Sequence, residues 1–309
     1  MEKKPLILEV KGNSLDDGPG IRTVIFFKGC PLNCVWCHNP ESKKAGVEIS
    51  FDVRECVGCD TCIATCSEKA LSKNNPFFID RDKCTLCFQC VETCPSGALS
   101  KVGKFMSVDE IVKTVAKDKP FFDISGGGVT LSGGEPTLYM DFVSKLLRAL
   151  KAEKIHTLLE TCGYFAFGRF QQLLLPYLDT IYYDIKCYDT EEHMQYCGVP
   201  NKIILENFLK LRILAKNNGP EILPRVPLIP NMTDTEENLK AIAGFFQMHG
   251  EKKAALLAYN PLWHEKNTKI GIDSCHSSDE SMKKWQEKQK IEKCREILNQ
   301  AGITWSLSS

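Results

Sequence analysis

The sequence predicts an α/β fold: a partly closed barrel of about six βα units, with a smaller module inserted near its start. Apolar segments of strand length alternate with stretches of helical periodicity over most of the 309 residues. Parallel strands need crossover connections of this length, and such crossovers are right-handed. A cysteine-rich segment interrupts the alternation. We therefore expect a barrel built from residues 1–46 and 105–309, ending in a helical tail, and an insert at residues 47–104.

The expected barrel elements follow in chain order. The strands are the apolar segments "RTVIFFKGC", "GGVTLSGG", "IHTLLETCGY", "TIYYDIKCY", "EILPRVPLIP" and "KAALLAYNP". Helical periodicity predicts helices at 139–152, 201–217 and 235–249. The tail, beginning near "DSCHSSDESMKKW", reads as a polar linker and a final amphipathic helix without a motif. In barrels of this kind the chemistry lies in the loops at the carboxyl ends of the strands.

The composition excludes several classes of partner. Lysine plus arginine number 39, as do aspartate plus glutamate, so no net charge directs the chain to nucleic acid or to anionic membranes. No apolar stretch approaches the roughly 20 residues of a membrane helix, and the first residues lack the apolar core and cleavage site of a secretion signal. We expect a cytoplasmic protein. In a reducing compartment the 16 cysteines, where clustered, are more typical of metal ligands than of disulfides.

Two cysteine runs fill the insert. "CVGCDTCIATC" and "CTLCFQCVETC" repeat the CxxCxxCxxxC spacing after ~28 residues. The spacing matches that of bacterial ferredoxins, in which three cysteines of a run bind one [4Fe-4S] cluster and the fourth binds the other cluster. Zinc is the alternative, but zinc ribbons use CxxC pairs separated by a long loop. Two clusters are expected, one bound by Cys56, Cys59, Cys62 and Cys94 and the other by Cys84, Cys87, Cys90 and Cys66.

A third group of cysteines directly follows the first barrel strand. Cys30, Cys34 and Cys37 lie within eight residues, and no fourth cysteine completes the set. A [4Fe-4S] cluster held by three thiolates leaves one iron open to an exogenous ligand. Zinc bound together with His38, or a role in the core, is the alternative.

The CxxxCxxC spacing, with an aromatic residue at Trp36, resembles the signature of the radical S-adenosylmethionine superfamily. That resemblance implies that the methionyl amine and carboxylate of S-adenosylmethionine bind the open iron, and that the barrel is a partial (β/α)6 barrel of the radical SAM type. "LSGGEP" resembles the loop of the superfamily that hydrogen-bonds the methionyl amine, which involves Gly133, Gly134 and Glu135.

Charged residues at later strand ends are further candidates. Asp184 and Lys186 lie two apart on a strand and so share a face. Lys186 can pair with the cofactor's carboxylate, and Asp184 can accept hydrogen bonds from its hydroxyls. Glu160, at the end of "HTLLE", can help to bind the amine. Structural ion pairs are the alternative for all three.

A closer resemblance covers residues 10–271. "DDGPGIRTVIFFKGCPLNCVWCHNPES", "GGGVTLSGGEPTL", "LETCGY", "DIKCYD" and "RVPLIPNMTD" resemble the glycyl-radical enzyme activating enzymes, related to pyruvate formate-lyase activating enzyme, and particularly those with a ferredoxin-like insert. The resemblance implies catalytic roles for Cys30, Cys34, Cys37 and Lys186. It implies cofactor contacts at Trp36, Cys37, His38, Gly133, Gly134, Glu135, Glu160, Asp184, Ile185, Lys186, Arg225 and Asn260. Asn260 occupies the position where several members of the family have histidine.

The resemblance also implies an activity. Reductive cleavage of S-adenosylmethionine by a low-potential cluster yields a 5′-deoxyadenosyl radical that takes a hydrogen atom from one glycine of a partner glycyl-radical enzyme. Three [4Fe-4S] clusters, a flavodoxin- or ferredoxin-type electron donor and a monomeric chain are expected. Two other functions stay open, an iron-sulfur electron-transfer subunit and a radical S-adenosylmethionine enzyme acting on a small molecule. Five cysteines have no assigned role: Cys162, Cys187, Cys197, Cys275 and Cys294.

Overall fold

The computed structural model describes residues 4–216, 219–273 and 279–308. Cys275 and the predicted helix end at residue 217 lie outside the described residues. The strands within them are β1 (Leu6–Ser14), β2 (Arg22–Lys28), β3 (Glu48–Phe51), β4 (Leu99–Val102), β5 (Lys104–Phe105), β6 (Gly128–Gly133), β7 (His156–Thr161), β8 (Thr180–Asp184), β9 (Glu221–Leu228), β10 (Lys253–Ala258) and β11 (Thr304–Ser308).

The helices surround and connect these strands. They are α1 (Thr61–Thr65), α2 (Gln89–Glu92), α3 (Val108–Val115), α4 (Lys119–Ser125), α5 (Met140–Ala152), α6 (Phe167–Leu173), α7 (Thr190–Cys197), α8 (Lys202–Ala215), α9 (Glu236–Met248), α10 (Trp263–Lys269) and α11 (Lys288–Gln300). The three helices expected from periodicity correspond to α5, α8 and α9. Thr235 caps α9 by accepting a hydrogen bond from the backbone N–H of Asn238, which explains why this helix begins where the periodicity places it.

Nine strands form one sheet in the order β11-β10-β9-β8-β7-β6-β2-β1-β5. From β2 to β11 every neighbouring pair in this order is parallel, whereas β1 is antiparallel to β2 and β5 is antiparallel to β1. In the part of the chain that the structure describes, the end strands β11 and β5 do not pair with each other, so the barrel stays open. The partial α/β barrel expected from the sequence is confirmed, with β2 and β6 to β10 as the six predicted strands.

The C-terminal tail holds an element that the sequence analysis missed. The predicted amphipathic helix is present as α11, but the chain then forms β11, which pairs in parallel with β10 from Lys253↔Thr304 onward. The expectation of a linker and a helix alone was therefore wrong. The five residues of β11 are too few to show a clear alternation of apolar and polar side chains. β11 pairs with β10 only because α11 returns the chain to the sheet edge.

The main core is built on rows of apolar side chains across the sheet. Ile25, Leu131, Leu159 and Ile181 are register partners on β2, β6, β7 and β8, and all four are fully buried. Burying an aliphatic side chain of this size stabilises a fold by about 1.5–3 kcal/mol. Because parallel sheets are covered on both faces, these strands read as nearly continuous apolar runs.

The insert repeats its backbone as well as its cysteines. Left-handed backbone conformations occur in pairs separated by the same interval, at Gly58 and Leu86, at Asp60 and Phe88, and at Lys69 and Gly97. Asp60 and Phe88 are the residues preceding α1 and α2. A two-stranded antiparallel sheet of β3 and β4 brings the two ends of the insert side by side, with Glu48 opposite Val102. A module whose ends meet can be inserted into a strand-to-strand connection without separating the strands.

A buried ion pair ties the insert to the barrel. Lys28, the last residue of β2, is fully buried and donates to Glu48, the first residue of β3, over 2.6 Å, and also to the backbone carbonyl oxygen of Glu41. A buried pair adds little net stability compared with an apolar pair, but removing one partner leaves an uncompensated buried charge.

We predict that Lys28→Met lowers the free energy of unfolding by about 3 kcal/mol, because Glu48 loses its main partner. The midpoint of urea unfolding under anaerobic conditions would measure this. Glu48→Gln in the Lys28→Met background should recover part of the loss, because the charge is then gone. Lys240→Met, which removes an exposed helix pair with Glu236, is the control and should leave the midpoint in place. A midpoint equally unchanged in Lys28→Met would show that water reaches this pair.

Candidate active site

A cleft with about 260 Å³ of space opens at the carboxyl ends of the parallel strands. Its walls come from the residues that follow β2, β6, β7, β8, β9 and β10, where chemistry is expected in such a barrel. The lining includes the predicted ligands Cys30, Cys34 and Cys37. It also includes most of the predicted cofactor contacts, namely Trp36, His38, Gly133, Gly134, Glu160, Asp184, Lys186, Arg225 and Asn260.

The cysteine loop is held in place by backbone hydrogen bonds to its neighbours. The N–H of Cys30 donates to the carbonyl of Lys43 over 3.0 Å. Farther along, the N–H of Asn33 donates to the carbonyl of Cys197 over 2.8 Å, and that of Val35 donates to Tyr196 over 3.0 Å. The loop lacks regular secondary structure of its own, and these bonds fix it between the end of β2 and the end of α7.

The glycine pair at the end of β6 packs against the start of the cysteine loop. Gly133 has φ +97°, and a Cβ there would lie 2.6 Å from backbone atoms of Phe27. A Cβ on Gly134 would lie 2.2 Å from the carbonyl oxygen of Gly29. The sequence analysis explained these glycines by the approach of a ligand. The structure adds a second reason, since only glycine lets β6 come this close to the end of β2.

Glu135 and Ile185 are the two predicted contacts whose side chains do not line the cleft. Glu135 is fully buried, and its carboxylate accepts hydrogen bonds from the Thr137 and Thr161 hydroxyls and the Cys162 N–H. It therefore ties the β6 turn to the end of β7, as a positioning residue. Ile185 is buried in the main core, and its N–H donates to the carbonyl of Arg225.

Four charged side chains form one network along a wall of the cleft. Arg225 donates through Nε to Asp184 over 2.8 Å and through Nη1 to Glu160 over 2.5 Å. Lys186 donates to the other oxygen of Asp184 over 2.9 Å, and Ser132 donates to Glu160 over 2.6 Å. The two cations and two anions balance, so the network stands largely buried without a net charge.

The network fixes the protonation states of its members. Burial alone would lower the pKa of Lys186 and of Arg225, but the nearby carboxylates outweigh it, so both pKa values are raised. Burial would raise the pKa of Asp184, but Arg225 and Lys186 outweigh it and hold this pKa below its ordinary value. All three groups are therefore charged at neutral pH, and Lys186 presents an ammonium group to the cleft.

His38 presents a neutral ring to the same cleft. Burial, followed by the positive charges of Lys266 and Lys186, lowers the pKa of His38 to about 4. Its Nε2 is buried and has no hydrogen-bond partner in the described residues. A buried ring nitrogen without a partner leaves unsatisfied hydrogen-bonding capacity for a bound molecule.

The loop after β10 and the helix α10 place Asn260 and His264 in different surroundings. Asn260 lines the cleft, with its Oδ1 accepting from the N–H of Leu262 over 3.3 Å. His264, on α10, stacks on Trp263 and lies 2.8 Å from the carbonyl oxygen of Met282. Only Asn260 is placed to meet a bound cofactor.

Several lining residues were not named as contacts from the sequence. They include Asp16 and Asp17, from the "DDGPG" segment between β1 and β2, and Ser132 and Cys162 at strand ends. The position of "DDGPG" just before a strand places it at the opposite end of that strand from the cysteines. Asp16 and Asp17 nevertheless line the cleft, and the carbonyl of Asp17 accepts a hydrogen bond from the hydroxyl of Thr130 on β6.

The insert holds its eight predicted ligands in two separate cavities. Cys56, Cys59, Cys62 and Cys94 line one of them, together with α10 residues of the barrel. Cys66, Cys84, Cys87 and Cys90 line the other. The fourth cysteine of each run thus lies with the first three of the other run, which is the grouping that the ferredoxin spacing predicts.

The donor set at the three sites suits iron-sulfur clusters. Four cysteines line each insert cavity, and the three cysteines of the loop after β2 line the cleft. Four thiolates suit a [4Fe-4S] cluster with all four protein ligands, whereas three thiolates leave one iron open. The soft thiolate ligands, the buried unpartnered nitrogen of His38 and the ammonium group of Lys186 together fit a cluster with a bound amino-acid cofactor.

A search of the described helices finds none that is both long and apolar enough to cross a membrane.

Two family models match the chain. The radical SAM superfamily model matches residues 81–243, and a 4Fe-4S dicluster domain model matches residues 48–95. The first match begins three residues before the second cysteine run and does not include Cys30, Cys34 and Cys37. Roles at these three positions therefore rest on the resemblance and the geometry.

Characterised relatives and a solved structure agree with these matches. The trans-4-hydroxy-L-proline dehydratase activating enzyme of Clostridioides difficile is 39% identical, over 86% of this chain and 88% of that protein. The benzylsuccinate synthase activating enzyme of Thauera aromatica is 41% identical, over 80% of this chain and 75% of that protein. Streptococcus suis SuiB bound to the precursor peptide SuiA shares the fold, with a TM-score of 0.50 and 15% identity over 67% of this chain and 43% of SuiB.

Proposed function

The chain belongs to the glycyl-radical enzyme activating enzymes of the radical SAM superfamily, and from this membership we propose that it activates a glycyl-radical partner enzyme. The single observation that supports the proposal most strongly is the cleft, in which the three cysteines of the loop after β2 face a charged and polar wall. Relatives at 39% and 41% identity activate enzymes of different chemistry. The features shared with them therefore belong to the common activation step.

When bound, the reduced cluster and S-adenosylmethionine supply a 5′-deoxyadenosyl radical that takes a hydrogen atom from one glycine of the partner. The chain itself binds and orients the cofactor and excludes water from the cleft. Cys30, Cys34 and Cys37 hold the cluster at the end of β2. Lys186 pairs with the carboxylate of the cofactor, and Gly133 and Gly134 offer backbone groups to its amine.

The remaining predicted contacts orient the groups that bind the cofactor. Glu160 accepts from Arg225, which also donates to Asp184, so that Asp184 keeps the ammonium group of Lys186 in the cleft. His38, with its neutral ring, Trp36 and Asn260 line the same cleft and would contact the bound cofactor. Glu135 and Ile185 act through the backbone that they position.

The insert at residues 47–104, which separates the barrel segments 1–46 and 105–309 in the sequence, is proposed to relay electrons to the barrel cluster. A flavodoxin- or ferredoxin-type donor reduces the insert. The insert cavity that is lined by Cys56 and Cys94 adjoins the barrel helix α10. The chain acts as a monomer. We place it in a reducing compartment, the cytoplasm, because clustered cysteines are typical of metal ligands there.

We predict that anaerobically reconstituted protein carries about twelve irons per chain, from three four-iron clusters. Iron and acid-labile sulfide assays, with a zinc assay beside them, measure this. About four irons with stoichiometric zinc would show that the insert binds zinc.

We predict that Asn260→Ala weakens S-adenosylmethionine binding by about 3- to 10-fold, the loss of one or two neutral hydrogen bonds. Asparagine does not titrate near neutrality, so the effect should be the same from pH 6 to pH 8. Equilibrium binding to the reconstituted protein measures it. His264→Ala is the control, because this ring contacts Met282 instead of the cleft, and the reverse order of effects would mean that the loop after β10 is misassigned.

The proposed function is tested by presenting the reduced chain and S-adenosylmethionine to candidate glycyl-radical enzymes under anaerobic conditions. The candidates are the enzymes that the relatives activate and any glycyl-radical enzyme that is found encoded near this chain. We expect an electron paramagnetic resonance doublet of a glycyl radical on one of them. Cleavage of S-adenosylmethionine without a protein radical, but with turnover of a small molecule, would favour the small-molecule enzyme instead.

A further inference from the structure

The residues just past the end of β8 have no neighbouring strand to hold them. Pairing between β8 and β9 ends with Asp184 opposite Arg225, and the N–H of Ile185 donates once more to the carbonyl of Arg225. In the described part of the chain, residues 186–188 make no hydrogen bond to another backbone group. Lys186, the first of them, is the residue whose ammonium group lies in the cleft. Side chains must therefore fix its backbone.

Asn238, in the first turn of α9, takes the place of a neighbouring strand. Its Nδ2 donates to the carbonyl of Lys186 over 3.1 Å, and its Oδ1 accepts the N–H of Tyr188 over 2.9 Å. A residue of a parallel strand binds this same pair of groups, a carbonyl and the N–H two residues later. The Nδ2 also donates to the carbonyl of Thr233 over 2.9 Å. The buried amide thus joins the end of β8 to the loop after β9.

Asn201, which directly precedes α8, holds the same segment. Its Nδ2 donates to the carbonyls of Cys187 and Tyr188, over 3.0 Å and 2.6 Å. Its Oδ1 accepts the hydroxyl of Thr190 over 2.9 Å, and the side chain is buried. Together the two asparagine amides bind four backbone groups of residues 186–188.

The position of this backbone decides where the ammonium group of Lys186 lies. Its bond to Asp184 restrains the group, but the four-carbon stem of a lysine is flexible and follows any shift of the backbone. Hydrogen bonds between charged nitrogen and oxygen atoms are short, about 2.7–2.9 Å. A loosened backbone would therefore lower the fraction of molecules in which the ammonium group meets a bound carboxylate at that distance.

We propose that Asn201 and Asn238 are positioning residues for the carboxylate of the cofactor, because they replace a strand at the end of β8 and so hold Lys186 where it meets that carboxylate. The inference rests on the proposed function, in which Lys186 pairs with the carboxylate of S-adenosylmethionine. Neither asparagine is among the residues that line the cleft, so both act through the backbone of residues 186–188.

The test compares two ligands by equilibrium binding to the reconstituted chain. They are S-adenosylmethionine and decarboxylated S-adenosylmethionine, which lacks the carboxylate. In Asn238→Ala and in Asn201→Ala we expect the affinity for S-adenosylmethionine to fall by about 3- to 10-fold, which is part of the loss that removal of the ammonium group of Lys186 would cause. The affinity for the decarboxylated ligand should stay within about twofold of the wild-type value.

A double variant gives a second readout. In a Lys186→Met background, Asn238→Ala should cost no further affinity for S-adenosylmethionine, because no ammonium group is left to misplace. A merely structural role would lower the affinity for both ligands alike, with or without Lys186. That result in folded, iron-loaded variants would overturn the inference. Wild-type affinity for S-adenosylmethionine in both alanine variants would overturn it as well.

Asn207→Ala is the matched control. Asn207 is also a buried asparagine that donates to two carbonyls, but these belong to Gly163 and Phe165, after β7. Its removal should lower the midpoint of urea unfolding as the other variants do, and leave the ratio of the two affinities at the wild-type value. If an alanine variant does not fold, the serine variant at that position replaces it, because a water molecule can then reach the freed backbone groups.

Failure of the inference is distinct from failure of the proposed function. If the reconstituted wild type does not bind S-adenosylmethionine, or binds both ligands equally, the proposed contact of Lys186 with the cofactor is wrong. If the wild type prefers S-adenosylmethionine and Lys186→Met loses that preference, but both asparagine variants keep it, only the present inference falls.

Discussion

Cys37→Ala should abolish the formation of 5′-deoxyadenosine from S-adenosylmethionine. Cys37 is one of the three cysteines of the loop after β2 that are proposed to bind the cluster, and it lies beside His38 and Trp36 in the lining. A cube that has already given up one protein ligand to leave an iron open cannot lose a second and keep its geometry. The measurement is the yield of 5′-deoxyadenosine with dithionite as the reductant, after iron content and folding have been checked.

Cys90→Ala is the matched control within the same chain. Cys90 is also buried, but it lines the insert cavity with Cys66, Cys84 and Cys87. Its loss damages a cluster that has all four protein ligands, so dithionite should restore cleavage at least partly. Equal and complete loss in both folded variants would mean that the insert takes part in the chemistry. Retained cleavage of S-adenosylmethionine in Cys37→Ala would favour the alternative that the chain is an iron-sulfur electron-transfer subunit.

Lys186→Met should weaken the binding of S-adenosylmethionine by about 10- to 100-fold, the usual value of one hydrogen bond between charged groups. The ammonium group of Lys186 is held in the cleft by Asp184, and its raised pKa keeps it charged at neutral pH. Methionine has a similar length and no charge, so the change removes the interaction with little change in packing. Equilibrium binding to the reconstituted protein gives the affinity.

Lys151→Met serves as the control for this prediction. Lys151 makes a comparable pair with Asp179, 2.8 Å apart, but that pair lies near the beginning of β8, at the end of the sheet opposite the cleft. The control should bind the cofactor as the wild type does. Unchanged affinity in Lys186→Met, with the cluster intact, would show that the carboxylate of the cofactor meets another group.

Much of the fold was predictable because it depends on local patterns. The strands β2 and β6 to β10 are short apolar runs between helical stretches, and a parallel sheet covered on both faces produces such runs. The insert was predictable because the spacing of cysteines around a cluster is short-range. β11 was not, since its five residues are stabilised by pairing with β10, across a helix and a turn.

Part of the candidate site could likewise be predicted from local patterns, and part of it could not. Cys30, Cys34 and Cys37 share one loop, so their grouping is visible in the sequence. The contact of Arg225 with Asp184 and Glu160 depends on the register of three strands, with Asp184 opposite Arg225 and Glu160 opposite Tyr182. The side-chain contacts of Glu135 could not be predicted for a similar reason. Its carboxylate accepts hydrogen bonds from Thr161, at the end of the next strand of the sheet, and from Cys162, which follows that strand, and no local pattern reveals these contacts.

The central claim is that S-adenosylmethionine completes the three-cysteine site. Hyperfine spectroscopy of the reduced chain with S-adenosylmethionine labelled by ¹⁷O in the carboxylate and ¹⁵N in the amine tests it most directly. We predict coupling of both labels to a reduced cluster in the wild type and in Cys90→Ala, and none in Cys37→Ala. A wild-type chain that binds the labelled cofactor and carries a reduced barrel cluster, yet shows no coupling to either label, would contradict the claim.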